Sequence, residues 1–308
     1  MQSWTRRHFL LAAGAAAVAT ACGRRPDSQA VAPTPTGPAQ RVVALEWVYA
    51  EDLLALGMQP VGVADIQDYR SYVNVSPELG PEVVDVGTRQ EPNLETIARL
   101  KPDLILGVAF RHRAIASTLE AIAPTQIFDP YAANGPDPLT EMQQTLGAIA
   151  AAVGKQAEGE AVVQRLQTAL TQGSATLREA GAMERPFLLA QVLSATPPFR
   201  LFNDRALATQ TLIALGLTNA WQGAVDPYGY NSLGLEELTT ANQNANFLYI
   251  AAADANFEQI QRNPLWQKLD FVAQERTYSL GEDTWFFGGP LSTERLIQRT
   301  VAALGAAA

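Results

Sequence analysis

The stretch KQAEGEAVVQRLQTALTQGSATLR, residues 155–178, decides the architecture. Val162, Val163, Leu166, Leu170 and Leu177 recur at helical spacing, Pro is absent, and good helix formers fill most other positions, so the stretch reads as one helix. Its 24 residues would run roughly 36 Å. From about Leu139 to Ala180 no strand pattern occurs, and only Gly147, Gly154, Gly159 and Gly173 interrupt the helical one. On both sides, short β-branched runs alternate with helical segments, the pattern of βα units. The expected fold is α/β: two compact lobes, 41–150 and 183–308, joined by a connecting helix within 151–182. A ligand cleft is expected between them at the strand ends, where open α/β sheets bind ligands.

In the first lobe the pattern predicts strands at Arg41 to Leu45, Pro60 to Ala64, Val83 to Val86, Pro102 to Gly107 and Thr125 to Phe128. Helices are predicted over Ala50 to Leu56, after an Asn93 cap, and around Ile115 to Ile122. The second lobe shows strands at Pro186 to Leu193, Phe247 to Ile250 and Thr277 to Leu280. Its helices fall near Ala206 to Leu215, Leu235 to Thr240, Phe257, and Ser292 to Leu304. There is no Gly-x-Gly-x-x-Gly loop, P-loop or Gly-x-Ser-x-Gly elbow, so the nucleotide and esterase motifs are missing.

Composition narrows the chemistry. The 308 residues carry one Cys and two His, which forbids an internal disulfide and a Cys-based zinc site and leaves little for a Ser-His-Asp triad. With a net charge of −9, the chain is a poor partner for nucleic acid. Arg6 and Arg7 followed by 13 apolar or small residues, Phe9 to Ala21, are too short for a membrane span of roughly 20 residues and read as a cleaved export signal over 1–22. Thr5-Arg6-Arg7-His8-Phe9-Leu10 resembles a twin-arginine signal. Ala19-Thr20-Ala21-Cys22 resembles a lipobox, with Ala19 in place of the usual Leu, which assigns Cys22 to lipidation; an ordinary cleavage site with an incidental Cys is the alternative. The Pro-rich segment 23–40 reads as a flexible tether. Without Arg6 and Arg7, 20 basic side chains face 31 acids, a net of −11.

From Arg41 onward the chain resembles the siderophore and cobalamin substrate-binding proteins of bacterial ABC importers, the class III periplasmic binding proteins, and within them the ferric-hydroxamate type. The resemblance is carried by RVVALEW (41–47), DLLALG (52–57), GVADI (62–66), VDVGTRQEPNLE (84–95), NAWQG (219–223) and WFFGGPLS (285–292), in this order. It implies two Rossmann-like lobes, a connecting helix and a shallow cleft with little hinge motion. It also implies a monomeric carrier without enzymatic activity or cofactor, at the periplasmic or extracytoplasmic face of the cell membrane, held there by a lipid anchor. The carrier would deliver a ferric siderophore to the subunits of an ABC permease.

A ferric siderophore already surrounds its iron with six hard oxygens, so the protein needs cations and aromatic faces rather than metal ligands. By the resemblance, Arg89 contacts the iron-binding oxygens. Trp47 and Tyr72 match first-lobe cleft aromatics, and Tyr228, Trp285, Phe286 and Phe287 match those of the second lobe. Tyr228 replaces a tryptophan of the hydroxamate pattern, Phe287 a tyrosine, and Phe110-Arg111-His112-Arg113 stands where another tyrosine is usual. Arg111 and Arg113 beside Arg89 would favour an anionic citrate-based hydroxamate or ferric citrate; the alternative is that they form the solvated start of a helix. Glu51 occupies the first-lobe permease-docking position, whereas Gln210 and Thr211 leave the second without an acid. Cobalamin and haem remain alternative ligands, with Tyr228 and His112 as candidate axial groups. A hydrolase using the cleft and a structural lipoprotein are the other function classes.

Overall fold

The computed structural model describes residues 37–224, 226–251 and 257–305. The export signal, Cys22 and most of the tether lie outside the described residues.

β1 (Val42–Ala44) shows how the first lobe is built. All three side chains are buried: Val43 faces a cluster with Ile97 and Leu119, whereas Val42 and Ala44 join the central core. A strand covered on both faces reads as a continuous apolar run, as expected of a parallel sheet. α1 (Trp47–Ala55), β2 (Gly62–Val63), α2 (Ile66–Tyr72), β3 (Val84–Asp85), α3 (Leu94–Leu100), β4 (Leu104–Val108), α4 (Ala109–His112), α5 (Ala116–Glu120) and β5 (Thr125–Phe128) follow. The strands order as β3-β2-β1-β4-β5, all parallel, with Val43 opposite Gly62 on one side and Ile105 on the other. Strand order reverses at β1, so the ends of β1 and β4 open the crevice in which such sheets hold ligands.

Two helices, not one, lead to the second sheet: α6 (Pro138–Val153) and α7 (Gln156–Glu179). Asp137 caps α6 by accepting from the Thr140 amide at 3.0 Å, and Gly154, at φ +71°, turns the chain into α7. α7 differs from the predicted 155–178 by one residue at each end. Its buried stripe comprises Gly159, Val162, Leu166, Gly173 and Leu177. At Gly173 a Cβ would come within 2.8 Å of Leu215 and 3.0 Å of Val301, so the missing side chain lets neighbouring helices press against α7.

The second sheet comprises β6 (Phe187–Val192), β7 (Phe199–Phe202), β8 (Tyr230–Leu233), β9 (Asn246–Ala251) and β10 (Thr277–Ser279), ordered β10-β9-β6-β7-β8. β10, β9 and β6 are parallel; β7 and β8 are antiparallel additions that the sequence pattern did not reveal. α8 (Leu207–Ala214), α9 (Leu235–Leu238), α10 (Phe257–Gln261), α11 (Pro264–Gln267), α12 (Asp270–Ala273) and α13 (Pro290–Gly305) complete the lobe. One apolar core runs through residues of α1, α6, α7, α8 and α13, so the lobes share a packed centre and not only a linker. No described helix is long and apolar enough to cross a membrane.

Candidate functional site

Between the lobes lies a cavity of about 310 Å³, within the usual range for small-ligand sites. Its first-lobe wall is made by residues that directly follow the strands: Glu46 after β1, Arg89 after β3, Phe110 and Arg111 after β4, and Tyr131 after β5. Arg200, Arg205, Tyr228, Tyr230 and Trp285 to Gly288 come from the second lobe.

The Arg89 loop is held from several directions. Asp85 accepts from the Gly87 amide at 2.8 Å and from the Ile66 amide at 2.9 Å. Asp65 accepts from the Arg89 amide at 2.9 Å. Gly87 sits at φ +92°, and a Cβ there would lie 2.9 Å from the Asn93 nitrogen, so only glycine fits. The Arg89 carbonyl accepts from His112 Nε2 at 2.9 Å, while His112 Nδ1 accepts from the Val108 amide at 2.9 Å. His112 is fully buried with both ring nitrogens engaged, which leaves no nitrogen for an axial bond to haem or for proton transfer.

Burial lowers the His112 pKa below its ordinary 6.5. Below that pH the unfolded chain takes up a proton that the folded ring resists, so this contribution to stability is full above about pH 6.5 and is lost as pH falls. His112→Gln keeps an amide donor and acceptor without titrating. It is expected to flatten the dependence of melting temperature on pH between about 5 and 7; an unchanged slope would contradict the assignment.

Glu46 organises the cations. One carboxylate oxygen accepts from Arg89 Nη1 at 3.0 Å and the other from Arg111 Nη1 at 2.8 Å. Arg89 Nε also reaches Asp65 at 3.4 Å. The Arg89 guanidinium lies 3.5 Å over the Trp47 ring, and that of Arg111 lies 4.4 Å over Phe110. The Nη2 groups of Arg89 and Arg111 have no acceptor among the described residues, which leaves each with donors for a ligand. Arg200 stacks on Tyr230 at 4.6 Å and donates to Gln191 at 3.2 Å; neither it nor Arg205 meets a carboxylate among the described residues. Across the mouth, Phe110 and Tyr131 from the first lobe meet Tyr228 from the second at 5.7 and 5.1 Å between ring centres.

The structure brings Arg89, Arg111, Tyr228, Trp285, Phe286 and Phe287 to one cavity. Four expectations need correction. Trp47 is 1% exposed and its Nε1 donates to the Ala64 carbonyl at 3.0 Å, so it supports Arg89 from behind rather than facing a ligand. Tyr72 stacks on Trp47 outside the cavity wall. Arg113 points away to Asp129 at 3.2 Å, with 69% of its side chain exposed, because the turn after α4 carries it past the cleft. Glu51 is fully buried and cannot meet a partner: it accepts from the Ser292 amide at 2.9 Å and the Ser292 hydroxyl at 2.8 Å, capping α13. Residues missed by sequence reasoning include Glu46, Tyr131, Tyr230 and Arg200. Glu46 and Tyr131 follow strand ends and could have been sought there; Arg200 and Tyr230 sit on the unforeseen β7 and β8.

Comparison with known proteins gives the same architecture. The periplasmic binding protein family matches residues 42–284. The iron(3+)-hydroxamate-binding protein FhuD of Escherichia coli is 30% identical, over 86% of this chain and 87% of that protein. The Fe(3+) dicitrate-binding periplasmic protein FecB of the same organism is 29% identical, over 85% and 84%. The crystal structure of the siderophore-binding protein FhuD from Vibrio cholerae, bound to Fe3+-Desferal, superposes with a TM-score of 0.80 at 29% identity, over 87% of this chain and 99% of that one.

Proposed function

Because the chain belongs to the periplasmic binding protein family, we propose that it captures a ferric siderophore of hydroxamate type in the interlobe cavity and delivers it to an ABC permease. Like its relatives it is a substrate-binding protein and not an enzyme, and its cargo is an iron chelate. The reading places it on the extracytoplasmic side of the membrane, exported by the twin-arginine route and tethered through lipidated Cys22.

The observation that carries the reading is the Arg89, Glu46 and Arg111 array inside an aromatic-walled cavity. A hydroxamate shell offers the iron six oxygens and offers the protein acceptors for the free guanidinium edges. Glu46 holds both forks in place before the ligand arrives, so little side-chain ordering is left for binding. Tyr131, Tyr228 and Trp285 supply faces for the organic scaffold.

Loss of Arg113 from the cleft and neutralisation of its neighbours by Glu46 and Asp65 weaken the case for a strongly anionic ligand. A ferric citrate chelate stays as the second reading, favoured by Arg200 and Arg205, which have no carboxylate partner among the described residues. Purified protein titrated with a neutral ferric trihydroxamate, a citrate hydroxamate and ferric dicitrate, followed by tryptophan fluorescence, tests both. Tightest binding of the trihydroxamate is expected; saturation only by the dicitrate complex would transfer the assignment to citrate.

A further inference from the structure

Beneath the arginine rim the cavity has a floor of opposite character. Tyr49 and Asp52 project from one face of α1, three residues apart, and Glu141 comes from α6; all three line the cavity. Both Asp52 carboxylate oxygens and the Tyr49 hydroxyl are buried and lack any hydrogen-bond partner, although each residue is only 1% exposed. Glu141 accepts from the Thr145 hydroxyl at 2.7 Å through one oxygen. No Lys, Arg or His among the described residues pairs with Asp52 or Glu141. Buried acids are ordinarily paired, and a buried phenol ordinarily finds a partner. The floor therefore holds more acceptors than donors and has no cationic partner among the described residues, and it shares the cavity lining with Val48, Met142, Leu207 and Phe286.

We propose that this floor is a subsite for a protonated amine carried on an aliphatic arm of the ligand, received by Asp52, Glu141 and the Tyr49 phenol oxygen. This deepens the siderophore reading and rests on it. The arginine rim takes the oxygen-rich iron centre and repels an ammonium, whereas the floor repels carboxylates, so the two ends of the cavity orient such a ligand in one direction. The apolar residues Val48, Met142, Leu207 and Phe286 of the same lining match methylene groups rather than a metal centre. Burial and the neighbouring acids Glu51 and Glu141 push the Asp52 carboxyl well above the ordinary carboxylate range, and burial with Asp129 nearby raises that of Glu141, the response of acids that lack a cation. Glu51 and Glu141 are the charged groups acting on Asp52, and both are acids.

The test compares two probes: the ferric complex of a linear trihydroxamate ending in a primary amine, and the same complex with that amine acetylated. The unaltered protein is expected to bind the amine at least tenfold more tightly in a fluorescence or calorimetric titration. Asp52→Asn, and separately Glu141→Gln, should reduce that ratio to less than about threefold. The comparison on the unaltered protein needs no variant to fold. Equal affinity for the two probes overturns the amine subsite and leaves the siderophore reading standing. A preference that persists undiminished in both variants also overturns it. Failure of both probes to bind overturns the subsite together with the hydroxamate reading.

Discussion

Arg89→Ala is expected to weaken ferric-hydroxamate binding by about 10- to 100-fold, the worth of roughly 1.5–3 kcal/mol for hydrogen bonds from a charged donor. The loss has two parts. The free edge of the Arg89 guanidinium, which would address ligand oxygens, disappears. Glu46, 8% exposed, then keeps only Arg111 as a cation and presents a less neutralised carboxylate to the same oxygens. Arg89→Lys should recover only part of the affinity, because a point charge cannot reach Glu46 and Asp65 together while covering the Trp47 ring at 3.5 Å. Uncovering Trp47 should also alter the intrinsic fluorescence of the free protein. Dissociation constants from parallel titrations decide the matter; an alanine variant that binds as tightly as the parent would remove Arg89 from the site.

How much of this was legible beforehand depends on where each interaction lives. β1 and β6 could be read because strands buried on both faces write themselves as unbroken apolar runs. α7 could be read because a single stripe repeats over its length. β7 and β8 could not: Arg200 and Asn231 break their patterns, Pro197 and Pro198 precede β7, and their pairing joins residues such as Leu201 and Asn231 across a long excursion. Only tertiary contact defines these strands, β7 between β6 and β8 and β8 at the sheet edge.

The site divides in the same way. Arg89 was found through the motif around it, but its partner Glu46 stands 43 residues earlier and nothing local links them. Position along α1 was the least informative. Trp47, Tyr49, Ala50, Glu51, Asp52, Leu53 and Leu54 are all buried, so this helix has no solvated face on which an acid could be assumed to lie. The family resemblance put Glu51 at an exposed docking position, which the usual exposure of charged residues also favours; both fail on a helix with so many buried positions.

Burial gives Glu51 a different task. Its carboxylate receives the Ser292 amide at 2.9 Å and the Ser292 hydroxyl at 2.8 Å, at the start of a 16-residue helix whose N-terminal end favours negative charge. Gly288 and Gly289 make room for it, since Cβ atoms there would lie 2.6 Å from the Glu51 carboxylate and 3.2 Å from the Val48 carbonyl. α1 of the first lobe is thereby fastened to α13, which packs along α7. Glu51→Ala strands these donors, at about 1–3 kcal/mol each, and is partly offset because a costly buried acid is removed with them. A net loss of about 3 kcal/mol, or a melting temperature about 6–12 °C lower near pH 5, is the expected result. Burial raises the Glu51 pKa from 4.5 to about 7. The folded state therefore holds a proton that the unfolded chain releases, so this contribution is full below about pH 4.5 and is lost as pH rises through about 7. The gap between parent and Glu51→Ala should narrow from about pH 5 to pH 8, opposite in sign to the His112 effect. A melting difference under about 2 °C at pH 5 would show that the two lobes are held together by their shared apolar core alone.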